Sequence, residues 1–384
     1  MIQRLRSRLF ELRSESRLRR EGLTFPPLAP VGGSVERVFI GPVGSAGQNY
    51  QWSRALERAR PATAVTSMRF YAGTKGFGYP VDQAVSRDYA SRSHRWRRRQ
   101  LEALSTYRAV IIESAVSPFA MGDAGDIAEQ IRRLSEAGAS CALLFHGSDI
   151  RDPDAHMAAE PRSHFATDAD FRAKMTERTR FSREVIARTG APVFVSTPAL
   201  LGEVSDATWL PVVVDVDAWL APEPPFAHDR PPRVVHAPSR SFIKGTELIE
   251  PQLRAMHRAG EIEYVQVSGV PHSEMPDVYR SADVVLDHFR TGNYGVAAGE
   301  AMAAGRVCVS HVSDDVRRRT LALTGTELPI VQATPDDLGE VLTNLAGDRA
   351  GAREIAEQGL QFVRAWHDGA RSGKVLSDWL EQAR

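Results

Sequence analysis

Cysteine is scarce in this 384-residue chain: Cys141 and Cys308 are the only two, and both lie in apolar, strand-like runs. They read as buried small hydrophobes in a reducing compartment rather than as a disulfide framework. No run approaches the roughly 20 apolar residues that span a bilayer. The first residues are too charged for a secretory leader, so the expected location is cytoplasmic. Net charge is zero, with 48 basic and 48 acidic residues, which gives no general affinity for polyanions. Lysine is rare: Lys75, Lys174, Lys244 and Lys374 stand against an excess of arginine. A lysine where arginine is the default singles out Lys244. No G-x-G-x-x-G follows the first strand, which weakens a dinucleotide site.

What is present is an alternation of β-branched runs and helical patterns. Strands are expected at 35–40, 62–68, 109–114, 141–145, 192–196 and 211–214. Helices are expected between them at Tyr50–Arg58, roughly Arg87–Tyr107, Asp126–Ala137 and near Phe171–Arg188. A break with five prolines, 220–233, interrupts the rhythm. It then restarts with strands at 233–237, 262–269, 284–289 and 307–311, helices at Gly245–Ala259, Glu274–Ser281 and from Val296, and two closing helices. This βαβα order predicts two doubly wound α/β domains facing each other across a cleft, with ligands beyond the carboxyl ends of the strands. The expected division is 1–218, 219–365 and a last helix, 366–384, packing back on the first domain.

Several stretches point to chemistry. TGNYGVAAGEAMAAG (291–305) places one acid, Glu300, about a turn inside a small-residue helix that follows a glycine-rich loop. Glu is rarely buried without a partner, so a ligand is expected there. HAPSRSFIKGTELI (236–249) runs from a strand into a loop with Arg240 and Lys244, a pattern that suits phosphate oxygens, against the alternative of an ordinary turn. GPVGSAG (41–47) brings Gly44, Ser45, Ala46 and Gly47 beyond the first strand. FHGSDIR (145–151) puts His146 at the end of another. His146, Asp149 and His156 match no standard metal spacing, and Asp215 and Asp217 read as helix-capping acids of a linker. The N-terminal segment repeats Ile2, Leu5, Leu9 and Leu12 among arginines, and RWRRR (95–99) is a second basic run. Segments 1–20 and 92–99 are candidates for peripheral contact with a membrane, against the alternative of solvated faces. Nucleic acid is not expected.

Taken together these residues resemble the GT-B glycosyltransferases, and within them the retaining, nucleotide-sugar-dependent family 4. Residues 233–312 carry the likeness: the Arg–Lys loop, VSGVPHSEMPDVYRSADVVLDHF, and TGNYGVAAGEAMAAGRVCVSH, similar to the E-x7-E region. One acid is missing, because Gly292 stands eight residues before Glu300. Arg240 and Lys244 are also slightly closer together than in many relatives. The resemblance implies sugar transfer from a UDP- or GDP-sugar to a hydroxyl acceptor with retention, without a metal or other cofactor, and a place in glycan or cell-envelope synthesis. It assigns Lys244, Arg240 and His146 to catalysis. Glu300, Gly292, Asn293, Tyr294, Gly295, Val296, Gly269, Val270, His272 and Ser239 are assigned to the donor, and Gly44–Gly47 to the acceptor or phosphates. The alternatives are a nucleotide-sugar epimerase, an inverting transferase, or a non-catalytic nucleotide-sugar-binding protein at a membrane surface.

Overall fold

The computed structural model describes residues 11, 14–33, 35–72, 78–119 and 126–383. The described residues form two parallel sheets. The first contains β1 (Glu36–Gly41), β2 (Thr63–Tyr71), β3 (Gln83–Ser86), β4 (Ala109–Glu113), β5 (Ser140–Phe145), β6 (Val193–Val195) and β7 (Thr208–Trp209), in the order β3-β2-β1-β4-β5-β6-β7. The second contains β8 (Arg233–His236), β9 (Glu263–Gln266), β10 (Val284–Leu286), β11 (Val307–Ser310) and β12 (Val331–Gln332), in the order β12-β11-β10-β8-β9. Every strand pair is parallel. Burial on both faces explains the near-continuous apolar strands. In the first sheet Phe39, Val110, Ile112, Leu143 and Phe145 enter one core, while Val38, Ile40, Ile111, Ala142 and Leu144 enter the opposite one. Cys141 and Cys308 are buried and free.

Each sheet reverses its winding once: between β1 and β4 in the first, and between β8 and β10 in the second. The crevice beyond the strands at such a point is where doubly wound sheets bind ligands.

Several expected elements differ in detail. The long helix over 87–107 is two, Arg87–Arg92 and His94–Leu104, because Ser93 leaves the helical region and caps the second through Trp96 N. The acidic stretch after β5 holds a short helix, Pro153–Ala159, capped by Asp152. Residues 211–214 are not a strand. They cross between the domains, and side chains and a returning segment satisfy their amides: Val213 N donates to Gln48 Oε1 (2.7 Å) and Val214 N to His367 O (2.7 Å). The helix expected from Gly245 is Thr246–Arg258, and the loop before it holds a further short helix, Ser241–Lys244; Gly245 separates the two with a φ of 78° that few other residues adopt. Four helices, not two, follow β11: Asp314–Thr324, Leu338–Gly347, Arg349–Trp366 and Ala370–Gln382. Asp215 caps the short helix Val216–Trp219, as its place in the linker suggested.

The last helix, Ala370–Gln382, lies on helix Gln48–Ala59 of the first domain, so the chain crosses the junction twice. Gly373 makes that approach close: a Cβ there would stand 2.5 Å from the Ala55 carbonyl oxygen. Gly373→Val is therefore expected to destabilise the protein by about 1–3 kcal/mol, the usual cost of overpacking, read as a lower urea midpoint at unchanged slope.

The basic segments resolve only in part. The apolar positions Ile2, Leu5, Leu9 and Leu12 lie outside the described residues. Leu18 is fully buried, and so is Trp96, whose indole donates to Pro27 O (3.2 Å). The aromatic ring of the second basic run is thus core, not a surface anchor. Among the described residues no helix is long and apolar enough to cross a membrane.

Candidate functional site between the two sheets

A cavity of about 270 Å³ opens between the carboxyl ends of the two sheets. Its lining includes Ser45, Ala46 and His146 from the first domain. The second domain supplies Ser239, Arg240, Lys244, Gly269, Val270, His272, Gly295, Val296 and Glu300. Residues far apart in sequence thus meet in one space. Gly47 borders a smaller adjoining pocket, while Gly44 sits behind the loop, its amide held by Glu113 (2.8 Å).

Three assigned donor residues do not line this cavity. Tyr294 is buried in the core of the second domain, edge-on to His367. Asn293 is buried and donates to Thr197 Oγ1 (3.2 Å) across the domain junction. Gly292 packs against Glu160 of the first domain, and a Cβ at 292 would collide with that carboxylate. The position that lacks an acid therefore has one beside it, delivered from the other domain.

Lys244 ends the short helix Ser241–Lys244 and is buried. Its ammonium pairs with Asp287, which follows β10 and has no solvent exposure of its side chain. The pair spans the switch point of the second sheet. Burial alone would raise the Asp287 pKa; the charges facing it, with the Lys244 ammonium in direct contact, outweigh this and hold it below the ordinary value. Nothing in the sequence marked Asp287 as the partner, because the residues are 43 apart. His236, at the end of β8, bonds Leu286 O (3.1 Å) and Thr246 Oγ1 (2.9 Å), fixing the start of helix Thr246–Arg258.

Glu300 is buried in helix Val296–Ala303 and receives a hydrogen bond from His272 Nε2 (2.9 Å). Burial raises its pKa, and the His272 bond only partly opposes this. His272 stacks tilted against Tyr79 (4.4 Å) and packs near Trp219 (5.6 Å). Tyr79 arrives from the first domain and also fills the space beside Gly47. It was missed because a single tyrosine in a Gly-rich loop carries no pattern.

On the first-domain wall, His146 lies 3.1 Å from Glu113 and stacks on Trp52 (5.8 Å, 15°). Burial would lower its pKa; the Glu113 bond and charge, with Asp149, reverse this and leave it above the ordinary value.

Beside the cavity the domains are clasped by polar contacts. His156 Nε2 meets Thr291 O (3.3 Å), His311 Nε2 meets Glu160 (2.7 Å), Arg290 donates to Arg162 O (2.9 Å), and Asn293 to Thr197. Burial lowers His156 to about 4, and His164 and His288 to about 3. These rings fold neutral, while the unfolded chain protonates near 6.5. The stability they contribute is complete above that value and is lost as pH falls toward 4 and 3. Melting temperature is expected to drop between pH 6.5 and 4, and His156→Asn to shallow that slope.

No family model matches the chain, and no curated protein matches it. Solved structures do. Anabaena HepE with UDP and glucose aligns at TM-score 0.56 and 11% identity over 90% of this chain and 99% of that one. Sucrose-phosphate synthase from Thermosynechococcus elongatus gives 0.55 and 14% over 91% and 98%. The starch synthase IV catalytic domain of Arabidopsis thaliana with ADP and acarbose gives 0.55 and 11% over 91% and 99%. The chain has the GT-B fold. Identities this low speak to the fold alone, so the chemistry rests on the site.

Proposed function

We propose that the chain transfers a sugar from a nucleoside-diphosphate sugar to a hydroxyl acceptor, with retention at the anomeric carbon and without a metal, in the manner of family 4. The observation that carries this reading is the shared cavity: a buried ammonium, Lys244, and a buried carboxylate, Glu300, from one domain face His146 from the other. Negative charge gathers on the leaving diphosphate as the sugar becomes oxocarbenium-like. Lys244, held in place by Asp287, and Arg240 beside it in the cavity wall stabilise that charge more in the transition state than in the ground state. Glu300, exchanging its His272 contact, accepts the ribose hydroxyls. The diphosphate itself takes the acceptor proton on the face it leaves. The cleft walls exclude water from the activated sugar.

That UDP- or ADP-bound transferases share the fold supports a nucleotide donor. The test is a thermal-shift screen against UDP- and GDP-sugars with and without EDTA, followed by proton NMR of the product. Stabilisation by one donor, unaffected by EDTA, with an α-linked product from an α-linked donor is expected. Stabilisation only with a divalent ion removes the metal-free clause, and a β-linked product removes retention. Donor conversion with no acceptor, giving an epimer, replaces the reading.

A further inference from the structure

Glu113 ends β4 with no solvent exposure, at the switch point of the first sheet. One oxygen, Oε2, accepts the backbone amides of Val43 (2.7 Å) and Gly44 (2.8 Å), with Asn49 Nδ2 at 3.4 Å. The other, Oε1, lies 3.1 Å from His146 Nε2. A buried carboxylate is costly unless donors surround it, and here the glycine loop and an imidazole supply them. The ring is held on its other sides too. Trp52 stacks on its face, and Asp149 accepts the His146 amide (3.0 Å). With Nε2–H directed at a carboxylate, the proton of the neutral ring is fixed on Nε2. Nδ1 has no hydrogen-bond partner among the described residues, and the ring lines the cavity.

We infer that Glu113 is a positioning residue, tying the Val43–Gly44 loop and the His146 ring into one unit and presenting Nδ1 to the cavity as an acceptor for a substrate hydroxyl. The hydroxyl belongs to the sugar or to the acceptor, so this deepens the transfer reading above and rests on it for the identity of the substrate. The charged groups around the ring are Glu113 from β4 and Asp149 from its own loop. Helix Gln48–Ala59 places the uncharged Gln48, Asn49 and Trp52 on this side. Across the cavity stand Lys244, Arg240, His288, Glu300 and His272.

The test reads His146 directly, by histidine nitrogen-15 NMR across a pH titration, with His146→Asn to assign the signal. In the wild-type protein the neutral ring is expected as the Nε2–H tautomer, titrating above 6.5. Glu113→Gln places an amide NH₂ against Nε2, so the proton is expected to move to Nδ1 and the pKa to fall on removal of the facing charge. The plateau of kcat/KM for UDP release from a stabilising UDP-sugar should fall, because an Nδ1–H ring cannot accept the hydroxyl, and its acid limb should shift to lower pH with the ring's pKa. KM effects distinguish the two hydroxyls: a raised donor KM in Glu113→Gln assigns the sugar, an unchanged one the acceptor. A wild-type Nδ1–H tautomer overturns the inference even if the variant does not fold. So does an acid limb unmoved in a folded Glu113→Gln protein. The expected tautomer with no donor turnover in the wild-type protein would overturn the transfer reading and leave the positioning intact.

Discussion

Lys244→Ala is expected to lower kcat/KM for donor turnover by about 10²–10³, the loss seen when one preorganised donor to a developing charge is removed. The same change strands Asp287, which has no other cation in bonding distance among the described residues. Breaking a buried ion pair from one side costs about 3–5 kcal/mol, because the remaining charge is left desolvated. Lost activity could therefore reflect lost structure, and the pair Lys244→Ala/Asp287→Asn separates the two. Neutralising Asp287 removes the stranded charge, so the double variant should recover most of the urea midpoint while its turnover stays down. Recovery of turnover in the double variant would mean that Lys244 serves only to neutralise Asp287.

Glu300→Ala has the second largest expected effect, and it falls on binding. A hydrogen bond to a charged group contributes about 1.5–3 kcal/mol, so losing the ribose contacts should weaken UDP by about 10- to 150-fold. Pyrophosphate should bind the variant as it binds the wild-type protein, since the phosphates rest on Lys244 and Arg240. Lys244→Ala is expected to weaken both ligands, because UDP carries the same diphosphate. His272→Ala is the control: it removes the contact made to Glu300 in this structure (2.9 Å) but leaves the carboxylate, and should weaken UDP far less. Equal losses of UDP and pyrophosphate in Glu300→Ala, measured by calorimetry, would contradict the division of labour.

The two-domain architecture was legible because parallel strands covered on both faces write themselves as short apolar runs; His146 stood out because it directly follows such a run, Lys244 as a rare lysine in the turn after one, and Glu300 as a lone acid in a small-residue helix. What the sequence concealed is of another kind. Asp287 and Glu113 are partners across a switch point, brought together by strand order rather than by spacing, and a carboxylate inside the strand-end stretches VVLDHF and AVIIES reads as a boundary residue. The loop 292–294 misled: its Gly-Asn-Tyr composition suits a ligand, yet Tyr294 is spent on the core and Asn293 and Gly292 on the domain junction. The vacancy at Gly292 gave no hint that Glu160, 132 positions earlier (292 minus 160), fills it. The short helix Ser241–Lys244 was hidden because four residues between a proline-serine turn and a glycine carry no helical period. Residues 211–214 looked like a strand because crossing a domain junction demands the same burial.

The central claim is that one cradle holds the diphosphate and the ribose of a nucleotide between the two sheets. A crystal structure of the chain with UDP tests it most directly. The account predicts phosphate oxygens within hydrogen-bond distance of the Lys244 ammonium and ribose hydroxyls on the Glu300 carboxylate, with His272 displaced from it. UDP bound elsewhere, or seated in the cavity with Lys244 still closed on Asp287 and Glu300 on His272, would contradict it.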